Sequence, residues 1–451
     1  MTSHHLPMFP RRVGYRLPRS SSWLLVLGFA AASAAAENAL TPGGVLDQGN
    51  AAVAEALLPP EVLAHYRAGE YRNAIGRWPE VSPWERAFAV ASEANAARLT
   101  VDVRGTIVER EGGRAARGVY GLPFRIDPTD PQAGVKVVWN AYYALWRMGA
   151  MHDTVGLAWI SKRGLEREAT LESHMLYYEG VPPARAPTKN PLDLASQQRA
   201  VAVAPADLHA MASLTWRFRG ADQRDQAWVY VPALRRVRQV SAANRSDGFL
   251  GSDLSQDDGT FFDGKPEDFT WKLVGEREAL VLADPTSLAG SVARRGRPDG
   301  GVEEEWPVEQ KVVGYQDPGW RGLPWAPLAP VLVRRRLWVV EAVPRDPYYL
   351  FARVELGLDQ ETFQGATSRK FDAQGRLLRS LQFLLYGSQP VEAGGEQLVL
   401  PASSMGYIVA ENTKAERATV VGTVPRGRSV HERRVRLDAE LFGLERLSAG
   451  Q

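Results

Sequence analysis

Leu214-Thr215-Trp216-Arg217-Phe218-Arg219, a loop at Gly220-Ala221-Asp222, then Ala227-Trp228-Val229-Tyr230-Val231-Pro232 is the stretch that decides the fold. Apolar and polar residues alternate in the first run, the signature of a half-buried strand. The second run is β-branched and aromatic and stops at a proline. Together they predict an antiparallel hairpin. The arrangement recurs along the chain. Leu337 to Val343 and Leu350 to Leu356 flank Pro344-Arg345-Asp346-Pro347. Lys370-Phe371 and Arg376-Leu377-Leu378 flank Asp372-Ala373-Gln374-Gly375, a turn with glycine where positive φ is cheap. Successive hairpins predict an antiparallel meander, and no strand–helix–strand rhythm points to a parallel sheet.

Outward from this core, Val101-Asp102-Val103 and Val135-Lys136-Val137 also alternate and read as strands. Residues 37–100 read as helical: Asp47 to Leu57 is alanine-rich, Glu61 to Ala68 follows a helix-starting proline pair, and Pro83 to Ala97 carries a face of Phe88, Ala91, Ala94 and Ala97. Residues 294–301 read as a charged loop, 320–330 as an extended segment and 387–401 as a linker. Tyr407-Ile408-Val409 and Thr419-Val420-Val421 add strands, and 439–447 a short helix. The expected organisation is a signal segment (1–36), a helical segment (37–100), an antiparallel domain (101–400) and terminal strands with a short helix (401–451).

The chain has 451 residues, of which 45% are hydrophobic, so it can bury a core. It has no cysteine, which excludes disulfides, thiolate metal sites, a cysteine nucleophile and a lipid-modified N-terminal cysteine. Arg11, Arg12, Arg16 and Arg19 precede the apolar run from Trp23 to Phe29, and Ala34-Ala35-Ala36 follows. This is the pattern of a cleavable secretory signal peptide and predicts a periplasmic protein. The charge balance is 54 basic to 52 acidic residues, and removing 1–36 leaves 50 basic to 52 acidic. Near-neutrality argues against bulk nucleic-acid binding.

Chemistry-bearing motifs are sparse. The seven histidines form no metal spacing, and neither a Gly-x-Ser-x-Gly elbow nor a phosphate loop occurs. No catalytic residue, cofactor or metal is expected, and the protein reads as a non-enzyme. The segment Ser246-Asp247-Gly248-Phe249-Leu250-Gly251-Ser252-Asp253-Leu254-Ser255-Gln256-Asp257-Asp258 holds four aspartates without the calcium-loop spacing. It reads as a turn-rich connection whose aspartates cap backbone N–H groups, with hard-cation binding as the alternative. Arg235, Arg236 and Arg238 adjoin an apolar strand and are candidates for a headgroup-binding rim; Arg334-Arg335-Arg336 is a similar cluster. The 13 tryptophans supply either core or the wall of an apolar cavity. Strand alternation nominates Trp139, Trp216, Phe218, Trp228, Tyr230, Trp271 and Trp338 as cavity residues.

From Trp228 to Arg238 and on through Ser246, Asp247, Phe249, Gly251, Ser252 and Asp253, the chain resembles the outer-membrane lipoprotein-sorting (LolA-like) proteins that accompany resistance-nodulation-division exporters. Trp271 to Gly275, Leu358 to Phe363 and Phe371 to Leu377 extend the resemblance. The whole mature chain is similar to the periplasmic family called domain of unknown function 1329. That similarity rests on Ser92-Glu93-Ala94-Asn95-Ala96, Leu99-Thr100, Tyr120-Gly121-Leu122-Pro123-Phe124 and Val138-Trp139-Asn140. The sequence departs from the family pattern at Arg125 and at Ala144-Leu145-Trp146-Arg147.

The resemblance implies a mainly β, α+β fold: a curled antiparallel half-barrel whose concave face helices close. It also implies a soluble periplasmic carrier or chaperone for a lipid, lipoprotein or other hydrophobic cargo. Its partners would be a resistance-nodulation-division exporter or an outer-membrane acceptor. The alternatives are a structural or adaptor subunit of an envelope complex with a filled sheet face, and a periplasmic hydrolase.

Overall fold

Hairpin follows hairpin along most of the chain, and the strand order shows why. In the computed structural model, which describes residues 40–241, 245–306, 313–402, 407–422 and 430–448, β1 (Met151–Ser161), β2 (Gly164–Tyr177), β3 (Leu194–Ala204), β4 (Ala212–Phe218), β5 (Gln226–Val231) and β6 (Arg236–Val240) form one antiparallel meander. β7 (Phe269–Ala283), β8 (Val331–Pro344), β9 (Arg353–Asp359), β10 (Gly365–Phe371) and β11 (Leu377–Phe383) form a second. It continues through β12 (Ile408–Asn412) and β13 (Arg417–Gly422). Pairing of β13 with β1, in register Val421 to Leu157, joins the two meanders into one sheet. The predicted signal peptide at 1–36 lies outside the described residues.

The expectation of a curled half-barrel is corrected. The sheet is open: its path runs from β6 to β7, no pairing joins those edges, and it is neither closed nor strongly curled. Three further short strands, Ala293–Gly296, Val302–Glu305 and His431–Arg433, branch from β1. The physical reason lies in what covers the sheet. Alternate residues of the central strands enter two separate cores. Val155, Leu157 and Trp159 of β1 face one core, while Ala158 and Ile160 face the other. A sheet buried on both faces has no single concave face to leave open. The second face is covered by residues 40–75 and 313–328, and near β4 and β5 by Phe442 and Leu447 of the C-terminal segment.

Of the three longer helices, α1 (Pro60–Arg67) packs into the second core through Val62, Leu63 and Tyr66, while α2 (Arg86–Arg98) and α3 (Ala133–Trp146) serve the first face or its margin. α1 begins at the expected proline, where the missing N–H costs nothing. α2 buries Phe88 and Asn95 and leaves Ala94 and Ala97 exposed, so its inner face is not the alanine stripe expected. α3 is the largest departure, because Val135-Lys136-Val137 belongs to a helix and not to a strand. Nearly every α3 side chain is buried, and a helix that is apolar all round shows no periodicity against which a strand can be rejected. Gly134 lets this helix touch β7: a Cβ there would lie 2.8 Å from the Lys272 carbonyl carbon. Residues 387–401, expected as a linker, are a hairpin of Ser388–Ala393 and Glu396–Pro401. The 294–301 loop is largely a second hairpin.

Candidate functional site

α3 lies across the first sheet face on an aromatic base. Trp139, Tyr142, Tyr143 and Trp146 pack ring to ring, with centroid separations from 5.2 to 6.5 Å. Its position is set by segments that the sequence resemblance picked out. The buried Asn140 Nδ2 donates to the Phe124 carbonyl at 2.8 Å, and its Oδ1 accepts from the Phe124 N–H at 3.1 Å. Asn95 Nδ2 donates to the Tyr120 carbonyl at 2.7 Å, and Ser92 Oγ accepts from the Leu122 N–H at 2.8 Å. The motifs at 92–96, 120–124 and 138–140 are therefore one hydrogen-bonded unit that holds α3 in place.

Between α3 and strands β9 to β12 is a cavity of about 100 Å³. Its walls are mainly apolar: Val138, Ala141 and Leu145 from the helix, Leu356 and Leu358 from β9, and Phe383 from β11. Phe261 closes it from above, against Gly365 and edge-on to Phe383 at 4.9 Å. One fully buried cation, Arg147, lines the cavity. Its Nη1 donates to Glu85 Oε2 and to the Val399 carbonyl, each at 2.7 Å, and its Nη2 donates to the Pro83 carbonyl at 3.1 Å. The guanidinium also lies over the Trp84 ring at 4.8 Å. Its Nε has no partner. Burial pushes the Arg147 guanidinium down to about 10, against the attraction of Glu85, and it stays charged at neutral pH.

The segment 245–264 crosses the same sheet face beside α3. Two further cavities lie beneath it, of about 130 Å³ and about 230 Å³. The first shares Ile408 with the α3 cavity, and both share Phe249 and Gln256. The three gaps thus adjoin one another under a common cover. That cover is fixed by buried charges. Arg217 on β4 donates to Asp225 at 2.8 Å and to Asp263 at 3.1 Å, and Arg245 donates to Asp257 at 2.7 Å. Tyr349 OH donates to the other Asp257 oxygen at 2.8 Å. Lys370 on β10 pairs with Asp258 at 2.6 Å, and Asn412 on β12 donates to Asp253 at 2.8 Å. Burial pushes Asp225 up, but Arg217 and Arg245 outweigh it and hold its carboxyl below the ordinary range.

The aspartates of 246–258 therefore do more than the backbone capping expected of them. Asp258 does cap, accepting from the Ser255 N–H at 2.7 Å, but it also pairs with Lys370 on a distant strand, as Asp253 does with Asn412, while Asp257 is held by Arg245 of the same segment and by Tyr349. No group of three or more histidines, cysteines, aspartates or glutamates is placed to hold a metal ion among the described residues.

The nominated residues scatter. Trp139 is on α3, not a strand, and its Nε1 donates to the Gly105 carbonyl at 2.7 Å. Trp338 is buried in the first core, and Trp271 packs at its margin with Nε1 donating to the Pro266 carbonyl. Trp216, Trp228 and Tyr230 face the opposite side, under the C-terminal segment, and Trp216 Nε1 donates to the Phe442 carbonyl at 3.0 Å. Phe218 and Trp139 share a separate cavity on the other flank of α3. Arg235, Arg236 and Arg238 are exposed on and beside edge strand β6 and line none of the four cavities described. The cation at the α3 cavity is Arg147. Its signal in the sequence is its place in Ala144-Leu145-Trp146-Arg147, after the Val138-Trp139-Asn140 segment, where the chain departs from the family pattern.

A stacked histidine pair lies at the root of the first meander. His152 on β1 and His174 on β2 are cross-strand partners with ring centroids 4.3 Å apart and planes 8° from parallel. His174 is pushed down to about 4, by burial first and then by the charges of His152 and Arg199. The unfolded side chain protonates near 6.5. The stability of this site is therefore full above about pH 6.5 and is lost as pH falls toward about 4. His174→Gln is expected to flatten the fall in urea midpoint between pH 7 and pH 4.5; an unchanged slope would contradict this assignment.

The fold and site together define an α+β protein with an open antiparallel sheet and apolar cavities beneath a charge-pinned cover. Residues 45–426 match the family described as a protein of unknown function, DUF1329, and the chain belongs to that family. No curated protein matches it. Three solved structures are remotely similar. A domain from Vibrio parahaemolyticus, assigned by name to outer membrane lipoprotein sorting, is 14% identical, with 71% of this chain and 100% of that chain covered and a TM-score of 0.44. A DUF1329 family protein from Desulfovibrio piger is 17% identical, with 71% and 100% covered and a TM-score of 0.42. The LolA superfamily protein NE2245 from Nitrosomonas europaea is 12% identical, with 68% and 96% covered and a TM-score of 0.38. No helix among the described residues is long and apolar enough to cross a membrane.

Proposed function

We propose that the protein is a non-enzymatic periplasmic carrier that shelters the acyl part of a lipid, lipoprotein or similar hydrophobic cargo, in concert with an envelope exporter or an outer-membrane acceptor. The observation that carries this reading is the apolar cavity under α3 with the unpartnered Nε of Arg147 in its wall. An acyl chain in water is unfavourable by about 0.8 kcal/mol per methylene, so about 16 carbons need roughly 12 kcal/mol of shelter. The α3 wall supplies part of that shelter, and Arg147 Nε supplies a donor for an ester or carboxylate oxygen. The cavity is smaller than such a chain. Loading therefore requires the cover at 245–264 to move off the sheet and join the neighbouring gaps.

The signal-like pattern of residues 1–36 supports export, and the cysteine-free sequence supports a carrier that is not itself lipid-anchored. Titration with a fluorescent C16 fatty acid tests the reading. Saturable binding, displaced by unlabelled lipid and weakened several-fold by Arg147→Met, is the expected result. Absence of saturable binding would favour the adaptor reading, in which the ion pairs of the cover keep the face permanently filled.

A further inference from the structure

The other flank of α3 carries a second cavity, of about 140 Å³, that shares no lining residue with the acyl cavity. Trp139, Tyr143 and Trp146 of α3 and Phe218 of β4 line it. Its rim is heavily charged, yet nearly all of that charge is consumed. Arg219 pairs with Glu179 at 2.8 Å, Arg117 pairs with Asp193, and Arg217 pairs with Asp225 at 2.8 Å. Lys265 Nζ donates to three backbone carbonyls, those of Phe218, Gly220 and Gln223. Two lining residues stand apart. Glu267 is 7% exposed and its Oε2 has no hydrogen-bond partner, and the buried Thr106 Oγ1 has none either. A buried polar atom without a partner costs about 1–3 kcal/mol, and a bound water or ion is one of the ways native structures satisfy it.

We propose that this cavity is a binding site for a small, neutral, ring-sized molecule carrying one hydroxyl or N–H group, which donates to Glu267 Oε2 while its ring packs among Trp139, Tyr143 and Trp146. The volume fits the size, since an apolar cavity of about 150 Å³ accepts benzene. The aromatic wall supplies area and fixes the ring plane. The neutral charge follows from the surroundings. Lys265, Arg217 and Arg219 disfavour an added cation, and Glu267 disfavours an anion. Burial raises the Glu267 carboxyl to about 7 despite the opposing charge of Lys265 and a hydrogen bond from its own backbone N–H. The site is independent of the carrier reading, because no acyl-cavity residue takes part in it.

The test uses the full chain at pH 7.5, with phenol, indole and toluene as probes, read by calorimetry and tryptophan fluorescence. Phenol or indole is expected to bind saturably and at least tenfold more tightly than toluene, because a site built around a hydrogen bond rejects the analogue that lacks the donor. Glu267→Gln is expected to weaken phenol binding at least fivefold and to leave toluene within twofold. Thr106→Val serves as a second variant should Glu267→Gln fail to fold, and is expected to weaken phenol by a smaller factor. No saturable binding of phenol or indole, equal affinity for toluene, or unchanged phenol affinity in the folded variant would each overturn the proposal.

Discussion

Arg217→Ala is expected to lower the unfolding free energy by about 3–5 kcal/mol, the cost of stripping one partner from a buried ion pair. Arg217 is 4% exposed and donates to Asp225 and Asp263, two carboxylates that are themselves buried. Removing the guanidinium leaves Arg245 as the nearest cation for both, at 3.2 Å and 3.6 Å. The effect reaches beyond stability. Arg217 lies on β4 and Asp263 lies in the cover, so the same bond ties segment 245–264 to the sheet. Urea unfolding at pH 7 measures the loss, and proteolysis within 245–264 should accelerate in parallel. A change below about 1 kcal/mol would place the pair in the class of solvent-screened bridges and contradict the structure.

The second large effect concerns cargo. Ala141 is on the α3 wall of the cavity proposed for the acyl chain, and its replacement by phenylalanine adds a ring to a gap of about 100 Å³. Overpacking of this kind costs about 1–3 kcal/mol, which a folded domain of this size tolerates. Ala141→Phe is therefore expected to remain folded by circular dichroism and to lose bound acyl lipid at least tenfold. Arg235, Arg236 and Arg238 supply the control, since all three are exposed on or beside the β6 edge. Their joint replacement by serine should leave lipid content within twofold of the parent. Equal lipid loss in both variants would move the headgroup contact from Arg147 to the edge strand.

Much of the sheet was legible because hairpins are local. The β4–β5 pair, the β8–β9 pair around residues 344–347 and the β10–β11 turn at 372–375 each announce themselves by alternation and turn chemistry within about 20 residues. α3 was illegible for the opposite reason. Val135, Val137 and Val138 are all buried in one core, and a helix buried on all sides looks like a buried strand over any short window. The number and joining of strands were also hidden. β1 pairs with β13 across more than 250 residues of sequence, and no local pattern encodes that contact. The half-barrel expectation, which rested on the family resemblance, fails because the joined sheet is open and covered on both faces.

The site was legible in its composition and not in its geometry. Aromatic residues do line cavities, but Trp216 and Trp228 turn to the opposite face from Trp338, a distinction that hangs on strand register and on the remote C-terminal cover. The aspartates at 253, 257 and 258 were noticed as a cluster. Asn412 and Lys370, which pair with Asp253 and Asp258, lie on remote strands, and only Arg245, the partner of Asp257, is near in sequence, so a linear view offered cation binding and backbone capping.

The most direct test of the carrier account is native mass spectrometry, with lipid extraction, of the protein isolated from the periplasm without detergent. The account predicts a bound species of acyl-lipid mass at one per chain, released on unfolding and depleted in Ala141→Phe. Parent protein that is folded, stable and free of any bound lipid would contradict it.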